Sequence, residues 1–322
     1  MTSAGQPADA VLACGEVRTC LLPSFQALDA RAAAQLLRLR ADERVLVSER
    51  PNPYVRSPQV LTGVDCPLPV AGGARVRAVG TVAARAALTE GRLLQTTAYA
   101  GLPARGPDRR RPWGDYLVRP GLLEPLGKLP VQAAADGALR GPERGELDLG
   151  MIAEGLLARL ARHPLLDHKA PFKSRRTRLR WAAVRAREGE APTLDRFTLA
   201  EDGLRTVRLS LPQPASLTAV AGLCEDLALH DWLLTTVVQL LDSSRLGAAD
   251  GPAAVLALRP AVDHLLHLWM PGARVEPSLA PLWEVLERTP GFTRQWQNLV
   301  QRIRDQLAVQ TVPLLHQALR TG

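Results

Sequence analysis

The segment KAPFKSRRTRLRW, Lys169–Trp181, contains the pattern that decides the fold of the central part of the chain. Its last residues alternate strictly, with Arg176, Arg178 and Arg180 on one side and Thr177, Leu179 and Trp181 on the other. Successive side chains of a β-strand point to opposite faces of the sheet, so this period of two predicts a half-buried strand. One face of the strand is then apolar, and the other carries arginine.

The segment that follows, DRFTLAEDGLRTVRLSLP, predicts a β-hairpin whose turn is the sequence EDG. Apolar residues of the two arms lie on one face, while Arg196 and Arg208 lie on the other. Together with the strand before it, the hairpin predicts a central antiparallel meander that has one arginine-lined face.

Toward the N-terminus, the patterns predict both strands and helices. VLACGEVRTCLL is typical of a strand, Asp29 stands near the start of a helical pattern, and the turn TEG joins two further β-runs. Residues 1–128 are therefore predicted to form an α/β or β-rich region. The weakly patterned residues 129–147 are predicted to be a linker, and residues 148–215 to be an amphipathic helix followed by the basic meander.

The C-terminal part of the chain is predicted to be helical. Ser216 can cap a long helix that is apolar on almost every side, and Thr289 with Pro290 begins the last helix. One stripe of that last helix is apolar: Phe292, Trp296, Leu299, Ile303 and Leu307. Residues 216–322 are therefore predicted to be an α-helical bundle, and the whole chain to have an α+β fold.

The 322 residues have the ordinary apolar fraction of a globular protein and a formal net charge of +8. Only Lys128, Lys169 and Lys173 are lysines, so arginine supplies nearly all of the positive charge. The first residues lack a basic segment and an apolar run of signal length, and no apolar window is long enough to span a membrane. Four cysteines in so long a chain do not form a disulfide scaffold, which favours a cytoplasmic protein.

Motifs that carry catalysis are missing from the sequence. It contains no phosphate-binding loop, no G-x-G-x-x-G, no G-x-S-x-G and no H-E-x-x-H, so we predict no catalytic residue, cofactor or metal. An enzyme remains an alternative, in which Cys66, His264 or His267 act as ligands or catalysts. A buried thiol, and histidines that hydrogen-bond at a helix boundary, are the structural alternatives.

Two groups of residues are candidates for binding a partner. Alternate residues on a strand lie about 6.6 Å apart, close to the phosphate spacing of an extended nucleic-acid strand, so an arginine face could follow its backbone. The residues of this basic face are Lys173, Arg175, Arg176, Arg178, Arg180, Arg196 and Arg208. The second group lies in the Gly-, Pro- and Arg-rich residues 101–121, predicted to be an exposed loop, and consists of Arg109, Arg110, Arg111, Trp113 and Tyr116.

Each group also has a plain structural interpretation. The arginines could pair with the carboxylates of the chain itself, and the two aromatic residues could attach the loop to its own domain.

Several long phrases of the chain resemble an uncharacterised actinobacterial protein family. They include RPNPYVRSPQVLTGVDCPLP, FKSRRTRLRWAA, LCEDLALHDWLLTT and AVDHLLHLWMPGARV, and the likeness extends over about residues 11–310. The resemblance implies a gene neighbourhood that includes a MinD/ParA-like ATPase and a SAM-dependent methyltransferase. It implies one subunit of a multi-protein system, without an activity, cofactor or catalytic residue.

We therefore expect a non-catalytic adaptor or scaffold subunit that binds a protein partner, possibly one encoded in the same neighbourhood. Three surfaces could bind it: the arginine-lined strands, the loop from Arg109 to Tyr116, or an open groove of the bundle. The alternatives are a nucleic-acid-binding protein that uses the arginine face, and an enzyme of unrecognised type.

Overall fold

The computed structural model describes residues 10–187, 189–211, 216–244 and 251–321, with side chains except at 251–254 and 310–321. Within these residues a ten-stranded mixed sheet occupies the first two-thirds of the chain, and a helical region follows it. The predicted α+β class is thus confirmed, and the N-terminal region is rich in β-structure.

The strands are numbered in chain order. They are β1 (Ala10–Leu21), β2 (Leu46–Ser48), β3 (Tyr54–Arg56), β4 (Val60–Pro67), β5 (Arg77–Thr89), β6 (Leu93–Pro103), β7 (Leu123–Pro125), β8 (Thr177–Arg185), β9 (Thr193–Leu199) and β10 (Leu204–Leu211). Eight of them lie in the order β2-β3-β5-β6-β1-β8-β10-β9, and β4 and β7 both pair with the long strand β5. The helices are α1 (Ala30–Leu36), α2 (Trp113–Leu117), α3 (Val131–Arg140), α4 (Leu149–Ala161), α5 (Leu217–Ser243), α6 (Gly251–His264), α7 (Ala280–Arg288) and α8 (Phe292–Thr321).

Helices cover both faces of the sheet. One core joins the sheet to the C-terminal helices and contains Leu179, Trp181 and Val207. A second core lies on the opposite face, where α1, α3 and α4 pack, and contains Ala182 and Val184. Alternate side chains of β8 therefore point to opposite faces of the sheet, and both faces are covered by helices.

Close packing at the centre of the sheet depends on one glycine. Gly15 of β1 lies directly opposite Trp181 of β8, and the tryptophan ring is fully buried. A Cβ atom on residue 15 would stand 2.5 Å from Cζ2 of that ring, which is closer than atoms can approach. The absence of a side chain at Gly15 lets the indole lie against the strand.

Several local predictions are confirmed. The carboxylate of Asp29 accepts the N–H of Ala32 at the start of α1, and the hydroxyl of Ser216 accepts the N–H of Ala219 at the start of α5. β9 and β10 form the predicted antiparallel hairpin. In the last helix, Phe292, Trp296 and Ile303 are buried and Leu299 and Leu307 are partly buried against the same core, which is the predicted apolar stripe.

The predicted central meander is wrong in its connectivity. β10 pairs with β8 in parallel, so the strand order is β8-β10-β9. The second arm of the hairpin, β10, therefore lies between β8 and β9, which precede it in the chain. The connection that spans residues 186–192 is longer than the tight turn of two to about five residues that joins adjacent antiparallel strands. It can therefore pass over one strand position.

The predicted linker at 129–147 is also wrong, because its centre forms α3. This helix packs on β8 and β1, and its alanines Ala134 and Ala135 are buried there. A helix of 10 residues is marginal by itself in water, so packing on the sheet supplies much of its stability. Segments 1–128 and 148–215 contribute strands to one sheet, since β1 pairs with β8.

Candidate functional sites

The arginine face of β8 is held by carboxylates of the same chain. The Arg180 guanidinium donates from Nε to Oε2 of Glu16 at 2.7 Å and from Nη1 to the carbonyl oxygen of Arg140 at 3.0 Å. Glu16 is 1% exposed, so this pair lies inside the protein. Arg178 pairs with Asp202 in the hairpin turn.

The neighbouring arginines are paired as well. Arg208 contacts Asp136 and the carboxamide oxygen of Gln132 on α3, and Arg176 pairs with Glu154 of α4 at 2.8 Å. The prediction that these guanidinium groups are free is therefore wrong for Arg176, Arg178, Arg180 and Arg208. The carboxylates come from helices α3 and α4, which lie on this face of the sheet, and from β1 and the hairpin turn.

Three basic residues of the predicted face remain without an ion pair among the described residues: Lys173, Arg175 and Arg196. All three side chains are exposed. Lys173 and Arg175 precede β8, whereas Arg196 lies on the edge strand β9. They do not form a row at the spacing of alternate strand residues, which was the geometric argument for a nucleic-acid backbone.

The loop at 101–121 contains the short helix α2, and its two aromatic residues have different roles. Tyr116 is 1% exposed, and its hydroxyl accepts the N–H of Arg111 at 3.0 Å. Trp113 packs edge-on to Tyr116 with ring centroids 5.7 Å apart, and its ring also covers Gly63 of β4. Tyr116 thus attaches the loop to the sheet domain, as the structural interpretation proposed.

The outer side of this loop carries an apolar surface with arginines around it. Trp113, Leu117 and Val118 are 38%, 57% and 76% exposed, although all three are large and apolar. Arg110 lies over the Trp113 ring, 5.3 Å from its centroid, and pairs with Asp65. Arg111 lies 4.0 Å from Glu124. Arg109 has no ion pair in the described part of the chain. We call this surface the α2 patch; its residues are Arg109, Arg110, Arg111, Trp113, Leu117 and Val118.

A buried ion pair connects the sheet to the C-terminal helices. Arg85 of β5 donates from Nε and Nη2 to the two carboxylate oxygens of Glu225 of α5, at 2.7 and 2.8 Å. Burial alone would lower the pKa of Arg85, but Glu225 and the ring of Tyr99 raise it above its ordinary value. Sequence reasoning missed this pair. Its signal was an arginine, Arg85, in the interior of the alanine-rich strand β5.

His230 and Asp226 form a buried polar contact within α5. His230 Nδ1 lies 2.7 Å from the carbonyl oxygen of Asp226, and its Nε2 accepts the N–H of Met270 at 3.2 Å. Asp226 accepts the N–H of Gly272 at 2.8 Å. Burial lowers the pKa of His230 and raises that of Asp226, so burial favours the neutral form of each group.

Cys66 lies apart from the two histidines of the enzyme alternative. Cys66 is half-buried on β4, and burial raises the pKa of its thiol. His264 stacks on Phe172 at the other side of the molecule, with ring centroids 6.2 Å apart. In the described ranges no three His, Cys, Asp or Glu side chains are grouped so that they could hold a metal ion.

No protein-family model matches the chain, and neither a curated protein nor a solved structure is significantly similar to it. Within the part of the chain that the structure describes, no helix is both long and apolar enough to cross a membrane.

Proposed function

We propose that the protein is a non-catalytic adaptor that binds an acidic segment of a partner protein on the α2 patch. The observation that carries this proposal is the exposure of three large apolar side chains, Trp113, Leu117 and Val118, on α2 and at its end, with Arg110 over the Trp113 ring. Tryptophan and arginine are the residue types that most often dominate the energy of protein interfaces.

The local geometry supports binding by a preformed surface. Tyr116 is anchored in the domain and Trp113 is packed against it, so little conformational freedom remains to be lost when a partner binds. Arg109 carries an unpaired charge, and Arg110 and Arg111 are about half exposed. A partner segment that carries carboxylates beside an apolar side chain fits this arrangement, because its charges complement the border and its apolar group covers Trp113.

The resemblance to the actinobacterial family adds a candidate for the partner. We propose that it is encoded in the shared gene neighbourhood, where the MinD/ParA-like ATPase and the methyltransferase are found. The arginine face of β8 and β10 is less suited to binding a partner, because Arg176, Arg178, Arg180 and Arg208 already pair within the chain.

Affinity capture from native cells tests this function. We expect the wild-type chain to recover a neighbour-encoded protein. The double variant Trp113→Ala/Leu117→Ser should lose it, since removing a tryptophan hot spot costs about 2 kcal/mol or more of binding free energy.

The matched control is Met151→Ser, which removes an isolated apolar side chain that is 66% exposed on α4. It should retain the partner. Recovery of no neighbour-encoded protein, or equal recovery by the patch variant and the control, would contradict the proposal.

A further inference from the structure

A cleft opens where β2 and β3 meet α5 and the loop that precedes α7. Its volume is about 340 Å³ and it is lined by Arg50, Arg56 and Arg274, together with Tyr54, Glu225 and Asp226. Small-molecule sites typically have volumes of about 300–1,000 Å³. We call this the arginine cleft; it lies on the face of the sheet that packs on the C-terminal helices, and it shares no residue with the α2 patch.

The three arginines of the cleft differ from those of β8 because they have no acidic partner. Among the ion pairs of the described residues, none involves Arg50, Arg56 or Arg274. Arg274 is held instead by neutral groups. It donates to Thr89 Oγ1 at 3.2 Å and to the carboxamide oxygen of Asn52, and its guanidinium lies 4.1 Å from the centroid of the Tyr54 ring. Its position is fixed, and none of the ion pairs among the described residues includes it, although Asp226 and Glu90 partly oppose the lowering of its pKa by burial.

The two carboxylates that line the cleft form no ion pair with these arginines among the described residues. Both oxygens of Glu225 are occupied by Arg85, which lies behind the cleft. Asp226 accepts the N–H of Gly272, and burial raises its pKa, although His230 and, more weakly, Arg274 oppose this change. Burial also lowers the pKa of Arg274, so the half-buried guanidinium has lost hydration that an anion would replace. The cleft therefore has an excess of positive charge and room for a ligand.

We propose that the arginine cleft binds a small phosphate-bearing molecule. Guanidinium groups bind phosphate oxygens through two parallel hydrogen bonds, and a phosphate ester carries about 1.5 to 2 negative charges at neutral pH. Three arginines without an ion pair complement the charge of a phosphate ester better than they complement the single charge of a carboxylate. Leu46 and Leu229 also line the cleft and give an apolar surface for the remainder of the molecule.

Isothermal titration calorimetry with inorganic pyrophosphate tests this proposal, with tricarballylate as a carboxylate probe of comparable charge. We expect saturable binding of one pyrophosphate per chain. Arg56→Gln and Arg274→Gln should each weaken it by about tenfold or more, because each removes hydrogen bonds from a charged donor. Tricarballylate should bind more weakly than pyrophosphate.

The matched control is Arg175→Gln, which removes an exposed arginine that lies outside the cleft and has no ion pair among the described residues. It should leave the affinity for pyrophosphate unchanged. If Arg274→Gln fails to fold, Arg56→Gln and Arg50→Gln carry the test, since neither side chain forms a hydrogen bond or an ion pair among the described residues.

Three results would overturn the proposal. The first is the absence of saturable pyrophosphate binding to the wild-type chain. The second is an equal loss of affinity in Arg175→Gln and the cleft variants, and the third is tighter binding of tricarballylate than of pyrophosphate.

Discussion

The buried pair of Arg85 and Glu225 should be among the most sensitive positions of the molecule. Their side chains are 2% and 6% exposed, and two charge-assisted hydrogen bonds of 2.7 and 2.8 Å join them. The substitution Glu225→Gln preserves the shape of the side chain and removes its charge. Arg85 then remains buried without a countercharge, so we expect the free energy of unfolding to fall by about 3–5 kcal/mol.

An exposed pair of similar length gives the matched control. Arg40 Nη1 lies 2.6 Å from Glu43 Oε1, but both side chains are 41% exposed. Water screens that interaction, so Glu43→Gln should lower the free energy of unfolding by less than about 1 kcal/mol. The contrast between the two variants isolates the effect of burial, because the chemical change is the same.

A double variant separates the cost of an unpaired charge from the net value of the pair. Arg85→Met/Glu225→Leu removes both charges and fills the space with apolar groups, so it should be more stable than Glu225→Gln alone. Urea unfolding followed by circular dichroism gives the three free energies. A loss below about 1 kcal/mol in Glu225→Gln, equal to that of the exposed control, would refute the argument that this pair is buried and joins α5 to the sheet.

Three further predictions concern packing, capping and thiol reactivity. Gly15→Ala should lower the free energy of unfolding by about 2–3 kcal/mol, because its new Cβ meets the Trp181 ring. The control is Gly155→Ala in α4, where a Cβ atom meets open space, and this variant should be neutral or stabilising by up to about 1 kcal/mol. Thermal or urea unfolding measures both. Ser216→Ala should cost about 1 kcal/mol in the same assay, because it removes the cap of α5, and an unchanged stability would count against that cap. With a thiol reagent at mildly alkaline pH, the folded protein should show one fast-reacting cysteine, Cys66, because the other three are buried. Several fast-reacting thiols, or a fast-reacting thiol that persists in Cys66→Ser, would contradict this.

Local patterns in the sequence were sufficient for most elements of the fold. The period of two in RRTRLRW and the turn EDG follow from the geometry of a strand and a hairpin, which depends on neighbouring residues only. Asp29 and Ser216 marked helix starts because a cap acts within three residues. The partner strand and the pairing direction depend on distant parts of the chain, which is why the parallel pairing of β10 with β8 was missed.

The candidate sites were harder to predict for the same reason. The alternation of β8 correctly separated Arg178 and Arg180 from Leu179 and Trp181, but it could not show which helix covers the arginines. That helix, α3, lies in the segment that was predicted to be a linker. Glu16 reaches Arg180 because β1 and β8 are adjacent, although 164 residues separate them in the chain. The charged contacts that decide which arginines are available are therefore long-range.

The central claim of this account is that Arg180 and Arg208 are engaged inside the protein, while Arg109 at the α2 patch is available. Limited modification of the folded protein by an arginine-selective dicarbonyl, with peptide mass spectrometry, measures this availability directly. Arg109 should react early, whereas Arg180 and Arg208, whose side chains are 14% and 15% exposed, should stay unmodified until the protein unfolds. Modification of Arg180 and Arg208 as fast as that of Arg109 would contradict the account.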